Sequence, residues 1–420
     1  STIEKTSGFS MCSWSRGYGS RAANGVILIT TRRGQPGKFQ MQYNNYFGFA
    51  QPVRLFDLTN ETQFLEIAGE MFANANAPNR AVAAGLNTDW QMAVLRDNAF
   101  QQDHSLSLSG ATPETSYYFS MGYSGMEGVT RPNAMTRFTF RSNVEQRISR
   151  NIRIGANASL ARTEYLGQNV GENSLSGNIF SAIRQLPNTP VFNPDHPTGY
   201  NIDFANPQLV GRWNNTHTID DNLPNIRYVL DNNVYGSKVN RAILSAYGMV
   251  NLLPSLNFRT QLGADMSLTE GHLYWNPTHG DGASVNGRIY NTQTNYATWN
   301  IQNILSYVET FGDVHNLNLT LVSEVQKLRY NYFFAGGTDM SDTFFRFNVI
   351  GGSYATQLSS GSMFERGFIS YAGRLNYNYD GKYFVQGSLR YDGLSSLPPA
   401  NKWGLFPGGS VGWTISRESV

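Results

Sequence analysis

Strict alternation of apolar and polar side chains is the dominant pattern of this chain. From Leu256 to Leu268 the even positions are apolar apart from Thr260, and the odd positions are polar or glycine. Successive side chains of a β-strand point to opposite faces, so this segment predicts a strand with one apolar and one polar face. The same alternation recurs at residues 152–160, 371–379 and 383–392. The chain therefore predicts a β-sheet whose two faces differ strongly in polarity.

The pattern predicts about twelve strands. They lie near residues 39–50, 103–111, 115–126, 134–148, 152–165, 235–252, 256–270, 293–309, 314–334, 363–379, 382–394 and 406–417. Many have ten residues or more, whereas strands of globular proteins usually have about 5–6. A tilted strand that crosses a bilayer needs about 9–11 residues. We therefore predict an all-β fold, an antiparallel transmembrane β-barrel.

The connections between these strands alternate in length. Short links are predicted at 111–114, 149–151, 253–255, 310–313 and 380–381, and the longest ones at 51–102, 166–234, 271–292 and 335–362. Outer-membrane barrels have short periplasmic turns and long extracellular loops. The long connections are therefore predicted to be extracellular. Within the first of them, the helical spacing of apolar residues at 61–73 predicts a short amphipathic helix.

Composition supports a membrane location. Charged residues make up 15% of the chain and aromatic residues 13%, whereas soluble proteins carry about 25% charged residues. Aromatic rings with a polar atom concentrate at membrane interfaces. A net charge of +2 without a sustained basic run argues against a nucleic-acid partner. No signal segment precedes the strands, so the chain is expected to be a fragment.

The sequence offers no catalytic or metal-binding pattern. The six histidines are scattered, and neither a zinc-protease motif nor a nucleophile elbow is present. His272, His279 and Asp281 share one predicted loop, but their spacing fits no recognised zinc site. We therefore expect no enzyme activity, no cofactor and no bound metal.

One segment resembles a known family. Residues 18–31, YGSRAANGVILITT, resemble the closing motif of the plug domain in SusC/RagA-type TonB-dependent transporters, and RYDG at 390–393 and WGLFP at 403–407 are similar to the barrel of that family. The motif positions are Tyr18, Gly19, Arg21, Ala22, Ala23, Asn24 and Gly25. The resemblance implies that residues 1–37 are the C-terminal remnant of a plug domain. Residues 38–420 would then be the N-terminal part of an outer-membrane barrel with long extracellular loops.

The resemblance also implies a function and partners. The chain would be a fragment of an importer of oligosaccharides or peptides in the outer membrane of a Gram-negative bacterium. Its expected partners are the TonB complex, bound through an N-terminal region outside this chain, a SusD-like surface lipoprotein, and outer-membrane lipid. Two alternatives stay open from the residues alone, namely a passive porin-like channel and a soluble or surface glycan-binding β protein.

Two groups of residues are candidates for ligand contact. The first lies on the polar strand face and forms the expected wall of a lumen, with Asp380 predicted on the same face: Arg153, Arg259, Asp265, Arg374 and Arg390. Ion pairing among these residues is an equally good interpretation. The second group consists of aromatic rings in the predicted long loops, which would stack on sugars or peptide side chains unless they belong to an interfacial girdle: Tyr200, Trp213, Tyr274 and Trp275.

Overall fold

A computed structural model describes residues 3–9, 26–31, 37–71, 85–167, 178–203, 224–344, 351 and 353–418. The plug-like motif from Tyr18 to Gly25 and the candidate ring of Trp213 lie outside the described residues.

The N-terminal region contains a two-stranded antiparallel sheet. Strand β1 (Ile3–Phe9) pairs with β2 (Val26–Thr31), and Thr6 lies opposite Ile29. Strand β2 is the apolar end, VILITT, of the segment that resembles the closing motif of the plug. Strand β1 was not predicted, because its sequence, IEKTSGF, does not alternate between apolar and polar residues. It forms a strand because it pairs with β2.

Twelve further strands form one antiparallel sheet in which each strand pairs with the next along the chain. They are β3 (Gly37–Ala50), β4 (Ala99–Ala111), β5 (Thr115–Glu127), β6 (Ala134–Arg147), β7 (Ile152–Leu166), β8 (Val234–Leu253), β9 (Leu256–Trp275), β10 (Arg288–Phe311), β11 (His315–Met340), β12 (Tyr354–Tyr379), β13 (Tyr383–Leu394) and β14 (Trp403–Trp413). The predicted fold class is confirmed.

The four longest extensions of strands into connections that the sequence predicted as loops lie at the same end of the sheet. Strand β9 continues to Trp275, β10 starts at Arg288, β11 ends at Met340 and β12 starts at Tyr354. The predicted loops at 271–292 and 335–362 are therefore too long. The strand ends were missed because Tyr274, Ile289, Met340 and Tyr354 pack together in a buried cluster at this end of the sheet, so the apolar face is covered by protein and the alternation weakens.

The apolar faces of all twelve strands lie on one side of the sheet. Leu321 of β11, for example, is opposite Leu305 of β10 and Gly373 of β12. These side chains are not packed against a second sheet, and 46% of Leu321 and 52% of Leu389 are exposed. A soluble sandwich would bury such a face. This face therefore forms the outward, lipid-facing band of a barrel wall.

Aromatic pairs mark the two borders of the band. At the end with short turns, the rings of Tyr383 and Trp413 stack with centroids 6.4 Å apart, and near the other end Tyr391 and Trp403 stack at 4.7 Å. Tyr383 and Tyr391 are eight positions apart on β13, which is about 27 Å along a strand. On strands tilted by about 35–45° this length corresponds to a height of about 19–22 Å, slightly less than the apolar band of about 25 Å between aromatic girdles.

The predicted short link at 380–381 is a tight hairpin turn. Between β12 and β13, Asp380 and Gly381 adopt positive φ angles of 51° and 61°, and Lys382 N donates to Tyr379 O at 2.9 Å. Two central residues with positive φ define the tight hairpin turn that Asp-Gly favours. Asp380 therefore belongs to a turn, and its predicted place on the lumen wall is wrong.

In the described part of the chain, α-helices lie only in the long connections. They are α1 (Glu61–Met71), α2 (Trp90–Val94), α3 (Asn178–Arg184) and α4 (Ile226–Asn232). The predicted amphipathic helix corresponds to α1, which buries Phe64 and Ala68 against Leu186. None of the helices that the structure describes is both long enough and apolar enough to cross a membrane.

Candidate functional site

The long connections fold into a layer with its own core. Helices α2, α3 and α4 pack together around Trp90, Ala182, Ile226 and Val229. Trp90 is 2% exposed, and its indole Nε1 donates to Leu186 O at 3.1 Å. We call this assembly the loop layer, and its core shows that the long loops form a packed structure at the extracellular end of the sheet.

Buried amide groups connect distant loops within this layer. Asn225 caps α4 by accepting a hydrogen bond from Tyr228 N at 3.2 Å, and its Nδ2 donates to Val191 O at 2.7 Å. Its backbone N donates to Nε2 of the buried His279 at 2.6 Å. An Asn side chain at an N-cap satisfies an otherwise unpaired helix amide. Here the same residue also holds the β7–β8 and β9–β10 connections together.

Tyr200, a predicted loop contact, lies in a small polar and aromatic cluster. Its hydroxyl donates to Asp231 Oδ2 at 2.7 Å, and Arg227 Nε donates to the same oxygen at 2.6 Å. Its ring is 5.3 Å from that of Phe192 and 5.1 Å from that of Tyr228. Since the hydroxyl is engaged, a ligand at this position would meet mainly the Phe192 ring, which is 56% exposed.

We expect Tyr200 to ionise at unusually high pH. Burial, together with the adjacent Asp231 carboxylate, raises the pKa of Tyr200 to about 12. Folding therefore favours the protonated form of Tyr200. Its contribution to the stability of the fold is fully present below pH about 10 and is lost as the pH rises through about 12. The ultraviolet difference titration between wild type and Tyr200→Phe isolates this ionisation. A midpoint near that of free tyrosine would contradict the Asp231 contact.

The rings of Tyr274 and Trp275 lie at the end of β9 rather than in a loop. Tyr274 is 1% exposed and packs against Ile289 and Met340, so the prediction of an exposed ring is wrong for this residue. Trp275 lies on the inward face, where its Nε1 donates to Tyr235 Oη at 2.7 Å. A role for Trp275 in ligand contact stays a prediction.

The five predicted wall residues all lie on the face opposite the apolar band, and four of them interact with charged or aromatic side chains. Asp265 accepts from Arg241 at 2.8 Å, and Arg153 is 3.5 Å from Glu145. Arg390 is paired with Asp392 at 2.8 Å and lies 3.7 Å from Glu324, and the guanidinium of Arg259 lies 4.0 Å from the Tyr247 ring centroid. Arg374 Nη2 donates to Gln386 at 3.0 Å.

These pairings bring in residues that the sequence did not single out. Glu145, Arg241, Glu324 and Asp392 occupy inward positions that alternation identifies. The partners of Glu145, Arg241 and Glu324 lie on other strands, whereas Asp392 pairs with Arg390 on the same strand. Ion pairing on this face is therefore observed for Arg153, Asp265 and Arg390, and ligand contact by these residues stays a prediction.

The histidine and aspartate group of the β9–β10 region does not form a metal site. His279 is buried and accepts a hydrogen bond from Asn225 N, whereas His272 Nδ1 lies 3.0 Å from Asn291 Oδ1. Groups of three or more His, Cys, Asp or Glu side chains placed to hold a metal are absent from the described ranges.

Sequence comparison identifies relatives of the chain, although no protein-family model matches it. It is 27% identical over 408 residues to TonB-dependent receptor P3 of Formosa agariphila and 25% identical over 429 residues to TonB-dependent receptor SusC of Bacteroides thetaiotaomicron. The chain is a relative of the SusC/RagA-type TonB-dependent receptors. Both alignments cover 96% of the chain but only 38% and 39% of the two receptors.

Solved structures of TonB-dependent receptors share the fold. The RagAB peptide transporter matches 96% of the chain with a TM-score of 0.77 and 19% identity, and this match covers 48% of the RagAB chain. The RagAB peptide importer in its closed-closed state matches all of the chain with a TM-score of 0.78 and 20% identity. This chain is an outer-membrane protein of a Gram-negative bacterium, as are the TonB-dependent receptors to which it is similar.

Proposed function

We propose that the protein containing this chain is a TonB-dependent importer of oligosaccharides or peptides, and that transport rather than catalysis is its activity. One observation supports the barrel part of the proposal above all others. Twelve consecutive strands place apolar side chains on one face and charged side chains on the other, as a wall between lipid and an aqueous lumen requires. The relationship to the TonB-dependent receptors supports energy-coupled transport over passive flow.

The same relationship supports a plug and a lid. We propose that residues 1–37 end a plug domain and that residues 38–420 form the following part of the barrel. The small β1–β2 sheet, which is separate from the twelve-stranded sheet, is consistent with a separate unit at the N-terminus. A SusD-like lipoprotein would cover the extracellular loops, and the TonB complex would act on the plug from the periplasm.

Energy dependence of uptake tests this function. Cells that carry the complete receptor should accumulate oligosaccharide or peptide probes, and accumulation should fall to background when TonB is deleted or a protonophore is added. The reason is that a plugged barrel opens only when TonB transmits energy from the inner membrane. Uptake of labelled probes by matched cells with and without the receptor gene measures the effect.

The alternatives give different results in the same cells. Uptake that persists in the absence of TonB would indicate a passive porin-like channel. Recovery of a folded, monomeric protein without detergent would indicate a soluble or surface glycan-binding protein. Either result would overturn the importer proposal.

A further inference from the structure

The inward face of the sheet is rich in aromatic rings near its extracellular end. We call the inward positions of residues 269–275, 288–296, 328–334 and 358–366 the upper wall. On it, the rings of Tyr290 and Phe334 meet edge to face at 5.1 Å, and those of Tyr330 and Phe364 stack at 4.8 Å. The upper wall thus offers several aromatic faces between the lumen and the long loops.

Two arginines of the upper wall lie against these rings. The guanidinium of Arg288 is 4.5 Å from the Trp275 ring centroid and 5.6 Å from that of Tyr290, and that of Arg366 is 5.1 Å from that of Phe364. Arg288 Nε is buried and has no hydrogen-bond acceptor in the part of the chain that the structure describes. A buried donor without an acceptor is costly.

The upper wall has no carboxylate of its own to neutralise these arginines. Its inward positions contain neither Asp nor Glu. Of the acidic residues on these strands, Glu270 and Glu365 alternate to the outward face, and Glu365 is paired there with Lys327 at 2.9 Å. Asp339 follows Thr338, the residue opposite Arg288, and accepts a hydrogen bond from Asn286 Nδ2 at 2.8 Å. Lower on the same inward face, Arg241 and Arg390 are each paired with an aspartate. The upper wall is therefore a positively charged aromatic surface.

Such a surface favours a ligand that carries carboxylates and sugar rings. A guanidinium held flat against a ring keeps its N–H edge available for a carboxylate, which it binds through two parallel hydrogen bonds. Aromatic faces contact the apolar faces of sugar rings, and hydroxyls at inward positions of the same wall, such as Thr292 and Ser360, provide partners for sugar hydroxyls.

A peptide fits the part of this surface on β9 to β11 less well. Strands β9, β10 and β11 are paired on both sides along these segments, so their backbone N–H and C=O groups are used within the sheet. Residues 358–366 of β12 pair with β11 alone, because the pairing of β12 with β13 begins at Phe368. Peptides bound to sheets commonly use free backbone groups of an edge strand. Around Arg288 the upper wall therefore offers only side chains.

We propose that the upper wall binds an acidic oligosaccharide, a sugar chain that carries carboxylates, with Arg288 and Arg366 as the carboxylate contacts and Trp275, Tyr290 and Phe364 as ring contacts. This inference rests on the proposed import function and names the substrate class.

Calorimetric titration of the complete, detergent-solubilised receptor tests the inference with three probes: hexagalacturonate, neutral maltohexaose and hexaglutamate. Hexagalacturonate should bind at least about tenfold more tightly than either other probe at low salt, and salt should reduce the difference. Arg288→Gln and Arg366→Gln should each weaken hexagalacturonate binding about five- to tenfold. Both variants should leave maltohexaose binding unchanged, because a neutral sugar does not use the charge.

Arg329→Gln is the matched control, since Arg329 precedes Tyr330 on β11 and faces outward. It should leave all affinities unchanged. Equal affinity for the two sugars, tighter binding of hexaglutamate, no binding of any probe, or an unchanged affinity in the Arg288→Gln, Arg366→Gln double variant would each overturn the inference. Binding in detergent does not need TonB. A failure of the binding test can therefore be distinguished from a failure of energy-dependent uptake.

Discussion

Leu321→Arg is expected to lower the free energy of unfolding of the barrel wall in the membrane by about 2–4 kcal/mol. Leu321 lies at the centre of the outward band, where its cross-strand neighbours are Leu305 and Gly373. Neither neighbour can accept a hydrogen bond through its side chain. An arginine on the lipid face of a barrel costs about 2–4 kcal/mol at the bilayer midplane. That is a large part of a typical net stability of about 5–15 kcal/mol.

The free energy of unfolding of the complete receptor in lipid vesicles, measured by urea titration, checks this prediction. Ser306→Arg is the matched control, because Ser306 adjoins Leu305 on β10 but faces inward, opposite Asn257 and Thr320. It should change the free energy of unfolding by no more than about 0.5 kcal/mol. If the two variants lost equal stability, the assignment of the apolar face to lipid would be wrong.

Trp90→Ala should unfold the loop layer and leave the membrane strands intact. Trp90 fills the contact of α2 with α3 and α4 and donates a hydrogen bond to Leu186 O. Truncation of a buried tryptophan to alanine typically costs about 3–5 kcal/mol. The layer is small, so we expect this loss to be enough to open it locally.

Hydrogen exchange and limited proteolysis of residues 85–95 and 178–203 measure this opening, and heat-modifiable migration on gels reports the barrel. Trp90→Phe is the control, because it keeps most of the packing and removes only the Nε1 hydrogen bond, at a cost of about 1 kcal/mol. Unchanged protection of both segments in Trp90→Ala would show that the layer does not depend on this core.

The membrane strands were predictable residue by residue, and the loop layer was not. Lipid on one side and water on the other impose a period of two along every strand, so the residues around Leu262 or Leu375 reveal both the strand and its orientation. No such constraint acts at Tyr274, which is covered by Ile289 and Met340. Its burial depends on neighbours that are distant in the sequence.

The candidate site likewise has features that the sequence predicts and features that it does not. Alternation places Arg153, Arg259, Asp265, Arg374 and Arg390 on the inward face, and the structure confirms that face for all five. The paired state of Asp265 depends on Arg241 of the adjacent strand. Among the described residues, Arg288 Nε has no acceptor, and the neighbouring inward positions carry no carboxylate. Both features depend on the register between neighbouring strands, which cannot be predicted from the sequence of one strand alone.

By itself, the sequence determined that this protein is a wall of long antiparallel strands with a lipid face and a water face, since each strand carries that contrast locally. Only the tertiary structure decided how far the strands rise beyond the membrane, how the loop layer packs around Trp90, and which charges are neutralised. The physical reason is that solvent acts on each side chain separately, whereas packing and ion pairing act between residues brought together by the fold.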